Sequence, residues 1–423
     1  MAPREEHPDG ACRADDGRVT ENHARAIAPL DGVRVLDLTR LLPGGFLGSL
    51  LVDLGADVVK VEEPGAGDGL RTTAPRTGPY ASMWWALGRG RRSLAVDLKD
   101  PRGADLVGRL AATADVVVEG FRPGVADRLG VGYADLAARN PRLVYASLTG
   151  YGADGPMSAA GGHDVDYLAY AGVLGMTGPP GGPPALPGVQ VADLGGASLL
   201  GIGLLAALYR AQRSGRGAHV EVAMYDAALA WTSVHAAAAW ATGASPGPGG
   251  SVLSGLLPCY GLYACADGRH LAVGALEPQF WERFCTVLER PDLVGRAADP
   301  SACSDVADVV ATRTLAQWLA EFHGVDACVA PVLELTEALA HPLATARGMV
   351  REATLDDAGA TAPTLGSPVR VDGIARTADG RPPELGADSV AVAAEAGLTP
   401  DEVDELLDAG VLRQAGATDS VQG

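Results

Sequence analysis

Between Val33 and Leu148 short apolar runs alternate repeatedly with helix-like segments, a pattern that leaves few folds open. VRVLDL (33–38) reads as a buried strand, a proline and glycine turn follows, FLGSLLVDLG has the texture of a helix, and DVVKVEE (57–63) is the next strand. The pattern recurs in SLAVDL (93–98), the helical ADLVGRLAATA, the strand DVVVEG (115–120), the helical VADRLGVGYADLAARN and the strand RLVYASL (142–148). Strands that alternate with helices pair in parallel and are covered on both faces. The expected core is therefore a large, Rossmann-like α/β domain. A long helix over 194–213, ended by SGRG, and a strand-like AHVEVAM extend the same pattern.

Length requires more than this one unit. The 423 residues exceed an ordinary domain, and 47% hydrophobic residues suffice for a substantial core. Residues 1–28 are polar and charged without an apolar period, which reads as a disordered leader. The large domain is expected over 29–225. From about residue 240 the texture changes: ATGASPGPGGSVLSG is a glycine, proline and serine loop, and short strands and helices follow. A linker and a smaller α+β domain are expected over 226–340. Residues 341–423 return to the large domain and close in the helix TPDEVDELLDAGVL, for which Thr399 and an acidic first turn make a good start.

Composition narrows the functional classes. A formal charge of -19 and a pI near 4.8 argue against a nucleic-acid footprint, so an anionic ligand must meet a local basic patch. The six cysteines (Cys12, Cys259, Cys265, Cys285, Cys303 and Cys328) form no CxxC pair and do not alternate with histidine, which signals neither zinc nor a disulfide framework. The most apolar segment, Leu194 to Tyr209, reads as shorter than a bilayer span, and the first residues lack a signal-peptide core. No membrane association and a cytoplasmic location are expected. GxGxxG is missing from LLPGGFLGS after the first strand, and GxSxG does not occur.

Two titratable residues stand out. His163 in GGHDVDYLAYAGVLG and Asp193 in VADLGGASLLGIGLLAALY both sit where apolar helices begin. An isolated histidine there is more often structural, and Asp193 is also a good N-cap. As a pair they suit proton transfer on a carbon acid, with one group removing a proton from one face and the other returning it on the opposite face. Imidazole, with an ordinary pKa of about 6.5, can do both near neutral pH. Asp164 is placed either to orient a neighbour or to cap a helix.

Longer motifs turn these readings into a family resemblance. LDGVRVLDLTRLLPGGFLGSLLVDLGADVVKVEEP, RGRRSLAVDLKD, ADVVVEGFRPGVADRLGVGY, NPRLVYASLTGYGADGP, SGRGAHVEVAMYDA, CVAPVLEL and AGLTPDEVDELLDAGVL together resemble the family III CoA-transferases, in particular their α-methylacyl-CoA racemase branch. The match extends from about Leu30 to Leu412. It implies two interlocked subunits, an intertwined homodimer with its active site at the domain interface. It also implies an acyl-CoA thioester as substrate, with the coenzyme A moiety part of that substrate and no prosthetic group or metal.

The resemblance assigns roles to residues. His163 corresponds to one catalytic acid/base, within a GGHD motif followed by a tyrosine. Asp193 corresponds to the reactive aspartate, which is the second acid/base in racemases and the acyl-carrying nucleophile in transferases. Asp164 is expected to support Asp193, and Gly195 and Gly196 to let the enolate oxygen approach the helix start. Glu277 in VGALEPQFWERF corresponds to a glutamate paired with the histidine across the site; taken alone a solvated first-turn glutamate is the commoner explanation, and together with GGHD it favours a racemase over a transferase.

Leu42, Pro43, Val96 to Lys99, Phe121, Arg128 and Leu129 match the lining of the nucleotide groove. Arg89, Arg91, Arg92, Lys99, Arg122 and Arg128 are candidate cations for the nucleotide and diphosphate. Glu63 stands where relatives carry arginine, and its carboxylate would repel a phosphate; Arg71 or the RGRRS group is the expected compensation. The leading expectation is an isomerase, an acyl-CoA racemase or epimerase of a 2-methyl or similarly substituted acyl group. A CoA-transferase is the alternative, and an acyl-CoA-binding relative without catalysis is a third class.

Overall fold

A computed structural model describes residues 28–378 and 380–416, so nearly all of the expected leader lies outside the described residues. Along the large domain run β1 (Arg34–Leu38), α1 (Leu41–Asp53), β2 (Asp57–Glu62), β3 (Arg92–Val96), α2 (Pro101–Ala111), β4 (Val116–Glu119) and β5 (Val144–Thr149). There follow α3 (Asp164–Tyr170), α4 (Val191–Ser214), β6 (Ala218–Ala223) and α5 (Met224–Trp231). The expected parallel sheet is present. Its order is β3-β2-β1-β4-β5-β6, with Val35 of β1 opposite Val58 on one side and Val116 on the other.

Alternate strand residues supply two cores, one on each face. Leu36, Val59, Leu94, Val117 and Tyr145 pack with Leu106 and Leu110 of α2, while Val35, Val58, Val116 and Ala146 pack with Leu47 and Leu51 of α1 and Leu200 and Leu204 of α4. Each such burial stabilises the fold by roughly 1.5–3 kcal/mol relative to exposure. The helix α4 is longer than its apolar stretch suggested. At 24 residues it is long and apolar enough to cross a membrane. One face of it, from Ala197 through Leu200, Leu204 and Leu208, is nonetheless buried against the sheet, as in a core helix.

The smaller sheet consists of β7 (Tyr260–Ala264), β8 (His270–Gly274) and β9 (Val329–Pro331), antiparallel with β8 in the middle. It packs with α6 (Pro278–Val287) around Trp281, Phe284, Cys285, Trp318 and Phe322. The indole N–H groups of Trp281 and Trp318 donate to the carbonyls of Leu293 and Val310, so neither ring buries an unmet donor. The chain then returns through α7 (Ser389–Glu395) and α8 (Pro400–Asp408). Thr399 caps α8 in a reciprocal pair with Glu402, as expected. The helix stops at Asp408, before Val411–Leu412, and the chain adds a strand that periodicity did not reveal. This is β10 (Leu412–Arg413), antiparallel to β3 at the edge of the large sheet.

The sheet order fixes where a ligand can enter. From β1 the chain moves one way to β2 and β3, then crosses back to the other side of β1 to form β4. The connections leaving β1 and β4 diverge, which opens a crevice beyond the carboxyl ends of these two strands.

Candidate active site at the switch-point crevice

Two neighbouring cavities occupy that crevice. The first, of about 240 Å³, is lined by Lys60, Glu63, Val96, Lys99, Phe121 and Leu129. The second, of about 300 Å³, is lined by Leu41, Pro43, Phe121, Arg122, Tyr151, His163, Tyr167 and Asp193. Thr39, Arg40 and Phe121 line both, so the two cavities meet at the ends of β1 and β4.

Buried charges hold this junction. Asp37 is only 2% exposed; burial pushes its pKa up, but the Lys60 and Arg91 charges and hydrogen bonds from Thr39 outweigh that and hold it below the ordinary value. Lys60, also buried, donates to the Thr39 carbonyl and lies 3.5 Å from Asp37 and 3.3 Å from Asp68. Asp68 in turn accepts from the backbone N–H groups of Leu41, at 3.2 Å, and Leu70, at 2.9 Å. Leu41 has a φ of 60°, a left-handed conformation that costs a non-glycine residue roughly 1–2 kcal/mol. Gly44 is required beside it, because a Cβ there would lie 1.8 Å from the Thr39 hydroxyl oxygen.

His163 and Asp193 both line the second cavity. His163 is exposed and is the N-cap of α3, where its backbone N–H donates to Asp166. The tyrosine after the GGHD motif is Tyr167. Its hydroxyl donates to the Gly162 carbonyl at 2.6 Å and fixes the loop that carries His163. Burial of Tyr167, followed by the nearby Asp193 charge, pushes its pKa up to about 12, so it stays protonated at neutral pH.

Asp193 is not the cap of α4. Gln190 is, and Asp193 lies in the first turn. The capping role belongs to Asp164, whose Oδ1 accepts from the backbone N–H groups of Ala192 at 2.7 Å and Asp193 at 3.1 Å. A side chain from another helix thus closes this helix start, an arrangement that local spacing cannot reveal. It also sets a second carboxylate beside the first. Burial pushes the Asp193 pKa up to about 6, the Asp164 charge adds to the rise, and His163 opposes it.

The same contacts overturn the expected role of the glycines. With Ala192 and Asp193 bonded to Asp164 and Leu194 bonded to Gln190, these N–H groups are not free for an enolate oxygen. Gly195 and Gly196 are buried against α5, where Cβ atoms would come within 2.8 Å of the Trp231 ring and of Met224 Cγ. They permit helix packing rather than ligand approach.

The expected nucleotide groove is assembled in part. Val96, Lys99, Phe121 and Leu129 line the first cavity, and Pro43 and Arg122 line the second. Leu42 does not line either; the turn presents Leu41 instead. Arg128 is exposed but lines neither cavity.

The RGRRS arginines serve the fold. Arg89 donates to the carbonyls of Ala378 and Leu365, Arg91 binds Asp37 and the Gly45 carbonyl, and Arg92 pairs with Asp57 and Glu395. Ser93 next to them binds the returning segment through Gly386 and Asp388. Arg71 is committed to Glu62 at 2.6 Å and stacks on Trp84, so it does not compensate Glu63. Glu63 does line the groove, exposed, and accepts from the Ala66 N–H.

Glu277 is the exposed N-cap of α6 on the small domain, followed by Pro278 at the first helical position, and it does not line the cavity that holds His163. Conversely, sequence reading missed Thr39, Arg40 and Leu41. The available signal was their position directly after β1, where a switch-point crevice must open.

Residues 30–389 match the model of the family described as CoA-transferase family III. The chain belongs to CoA-transferase family III. Among relatives, α-methylacyl-CoA racemase of Mus musculus is 40% identical over 322 residues, covering 74% of this chain and 80% of that protein. Acetyl-CoA:oxalate CoA-transferase of Acetobacter aceti is 34% identical over 83% of this chain and 91% of its own length. The crystal structure of a CAIB/BAIF family protein from Brucella suis superposes with a TM-score of 0.77 at 30% identity, covering 88% of this chain and all of that one. This family III chain is therefore an enzyme of the CoA-transferase and racemase superfamily, and its paired His163 and Asp193 lie in the crevice of an α/β fold shared with solved relatives.

Proposed function

We propose that the protein is an acyl-CoA racemase or epimerase that inverts the α-carbon of a 2-methyl or similarly 2-substituted acyl thioester. The observation that carries this reading is the shared cavity of His163 and Asp193, with the Asp193 carboxyl raised to about 6. A carboxyl in that range exchanges a proton readily near neutral pH. A carboxyl and an imidazole on one cavity suit a reaction that must run in both directions between mirror-related faces. His163 serves one face and Asp193 the other: one removes the α-proton, the electron pair moves into the thioester as an enolate, and the opposite group delivers a proton.

Asp164 has a double part in this scheme. It fixes the first turn of α4, which carries Asp193, and its charge adds to the burial that raises the pKa of its neighbour to about 6. Because Asp164 occupies the helix donors, the enolate oxygen needs another partner, and Arg122 is a cation lining this cavity. Support of His163 by Glu277 requires Glu277 of the partner subunit in the interlocked dimer that the resemblance implies.

The runner-up draws on the Acetobacter aceti transferase, which matches over more of its length than the mouse racemase. In that reading Asp193 attacks the thioester and forms a mixed anhydride. The deciding experiment incubates acyl-CoAs in deuterated water without an acceptor acid and follows α-deuterium by mass spectrometry. Incorporation is expected. Acyl transfer without exchange, or exchange only with an acceptor acid present, would replace the racemase by the transferase.

A further inference from the structure

Three consecutive residues at the junction of the two cavities are held in an unusual way. Thr39 is pinned by its N–H to Asp37 at 2.9 Å and by its carbonyl to the buried Lys60. Leu41, with its left-handed backbone, is pinned by its N–H to Asp68. Arg40 lies between these two anchors, is exposed, and makes no side-chain hydrogen bond or ion pair among the described residues. Arg71, Arg91 and Arg92 nearby are bonded to carboxylates, and Arg122 lines the second cavity alone, so among the described arginines Arg40 is the one that faces both cavities. A strained, over-determined turn that presents one unpaired guanidinium to two cavities has the character of a ligand clamp.

The cavities differ in chemistry, which says what crosses the clamp. The second holds the acid/base pair, and the first is a groove with Val96, Phe121, Leu129 and a single exposed lysine, Lys99. A substrate spanning both has its reacting carbon in one and its remote end in the other. The part that passes Arg40 is the part between.

We propose that Arg40 binds the diphosphate of the CoA thioester at the throat between the two cavities, and that Asp68 is the positioning residue that holds the Arg40–Leu41 turn in place. A guanidinium matches a diphosphate by paired, charge-assisted hydrogen bonds that lysine cannot reproduce. The assignment rests on the CoA-thioester reading above and adds to it the residue that grips the linker. It also answers how a groove containing Glu63 retains a phosphorylated ligand: the anchoring charge sits at the throat rather than beside that carboxylate.

The test measures binding by calorimetry, independent of turnover, for CoA, dephospho-CoA and millimolar pantetheine, using wild type, Arg40→Gln, Arg40→Lys and Asp68→Asn. Arg40→Gln is expected to weaken CoA and dephospho-CoA alike by about tenfold, one charge-assisted contact, and to leave pantetheine unchanged. Arg40→Lys should recover part of the loss. Asp68→Asn should show the same selectivity, whereas a purely structural defect would weaken all three ligands together. Loss confined to CoA would place Arg40 on the 3′-phosphate, and equal loss for pantetheine would make it structural; either overturns the proposal. If wild type binds CoA and Arg40→Gln binds it equally well, the anchor fails alone. If wild type binds no CoA, the thioester reading itself fails.

Discussion

Replacing Asp193 by asparagine should make the protein inactive in inversion and, at neutral pH, more stable. Burial and the Asp164 charge raise the Asp193 carboxyl from its ordinary 3.8 to about 6. A carboxyl whose pKa is higher folded than unfolded takes up its proton first in the folded protein. The associated stability is fully present below about pH 4 and is lost as pH rises through about 6. The difference corresponds to about 3 kcal/mol at 1.36 kcal/mol per pH unit, reduced to about 1–2 kcal/mol because the carboxylate borders a solvent-filled crevice.

Asparagine keeps the shape and removes the charge. Urea denaturation at equal protein concentration should show Asp193→Asn more stable than wild type by about that amount at pH 7.5, with the two converging near pH 4. A less stable variant at pH 7.5, or a difference that does not vary with pH, would refute the argument that burial and the Asp164 charge raise the Asp193 carboxyl.

Three further outcomes follow from named contacts. Asp164→Asn retains an oxygen to accept from Ala192 and Asp193 but removes the neighbouring charge, so the limb of the kcat/KM profile governed by Asp193 should move to lower pH; an upward shift would contradict the coupling. Arg92→Gln should leave KM for acyl-CoA within about twofold and cost at most about 1 kcal/mol of stability, because Arg92 is occupied by Asp57 and Glu395; a tenfold rise in KM would return it to the nucleotide groove. Gly44→Ala drives a Cβ into the Thr39 side chain and should destabilise the protein by about 1–3 kcal/mol while raising KM, as thermal unfolding and steady-state kinetics would show. Unchanged values would mean the turn can yield.

Much of the fold was legible because its information is local. Continuous apolar runs such as DVVVEG and RLVYASL need no partner to be read as buried strands, and their alternation with helices dictates a parallel sheet. His163 and Asp193 were legible for a similar reason: each marks a helix start, and family-like words surround both. The edge strand β10 was not, since two residues carry no period and become a strand only by meeting β3.

Charged residues show the limit most clearly. Arg89, Arg91 and Arg92 have the composition of an anion site, and nothing in RGRRS says that their partners are backbone carbonyls and carboxylates as distant in sequence as Glu395. Arg40 has no special sequence context, yet folding leaves it unpaired where two cavities meet. Asp164 looks like part of its own helix and instead closes the start of another. Hydrophobic periodicity is written along the chain, so the layers and the strand direction could be read from it, and the helix starts and family-like words marked His163 and Asp193. Which charge meets which partner depends on desolvation and on distances between segments far apart in the chain, and these exist only once the chain has folded.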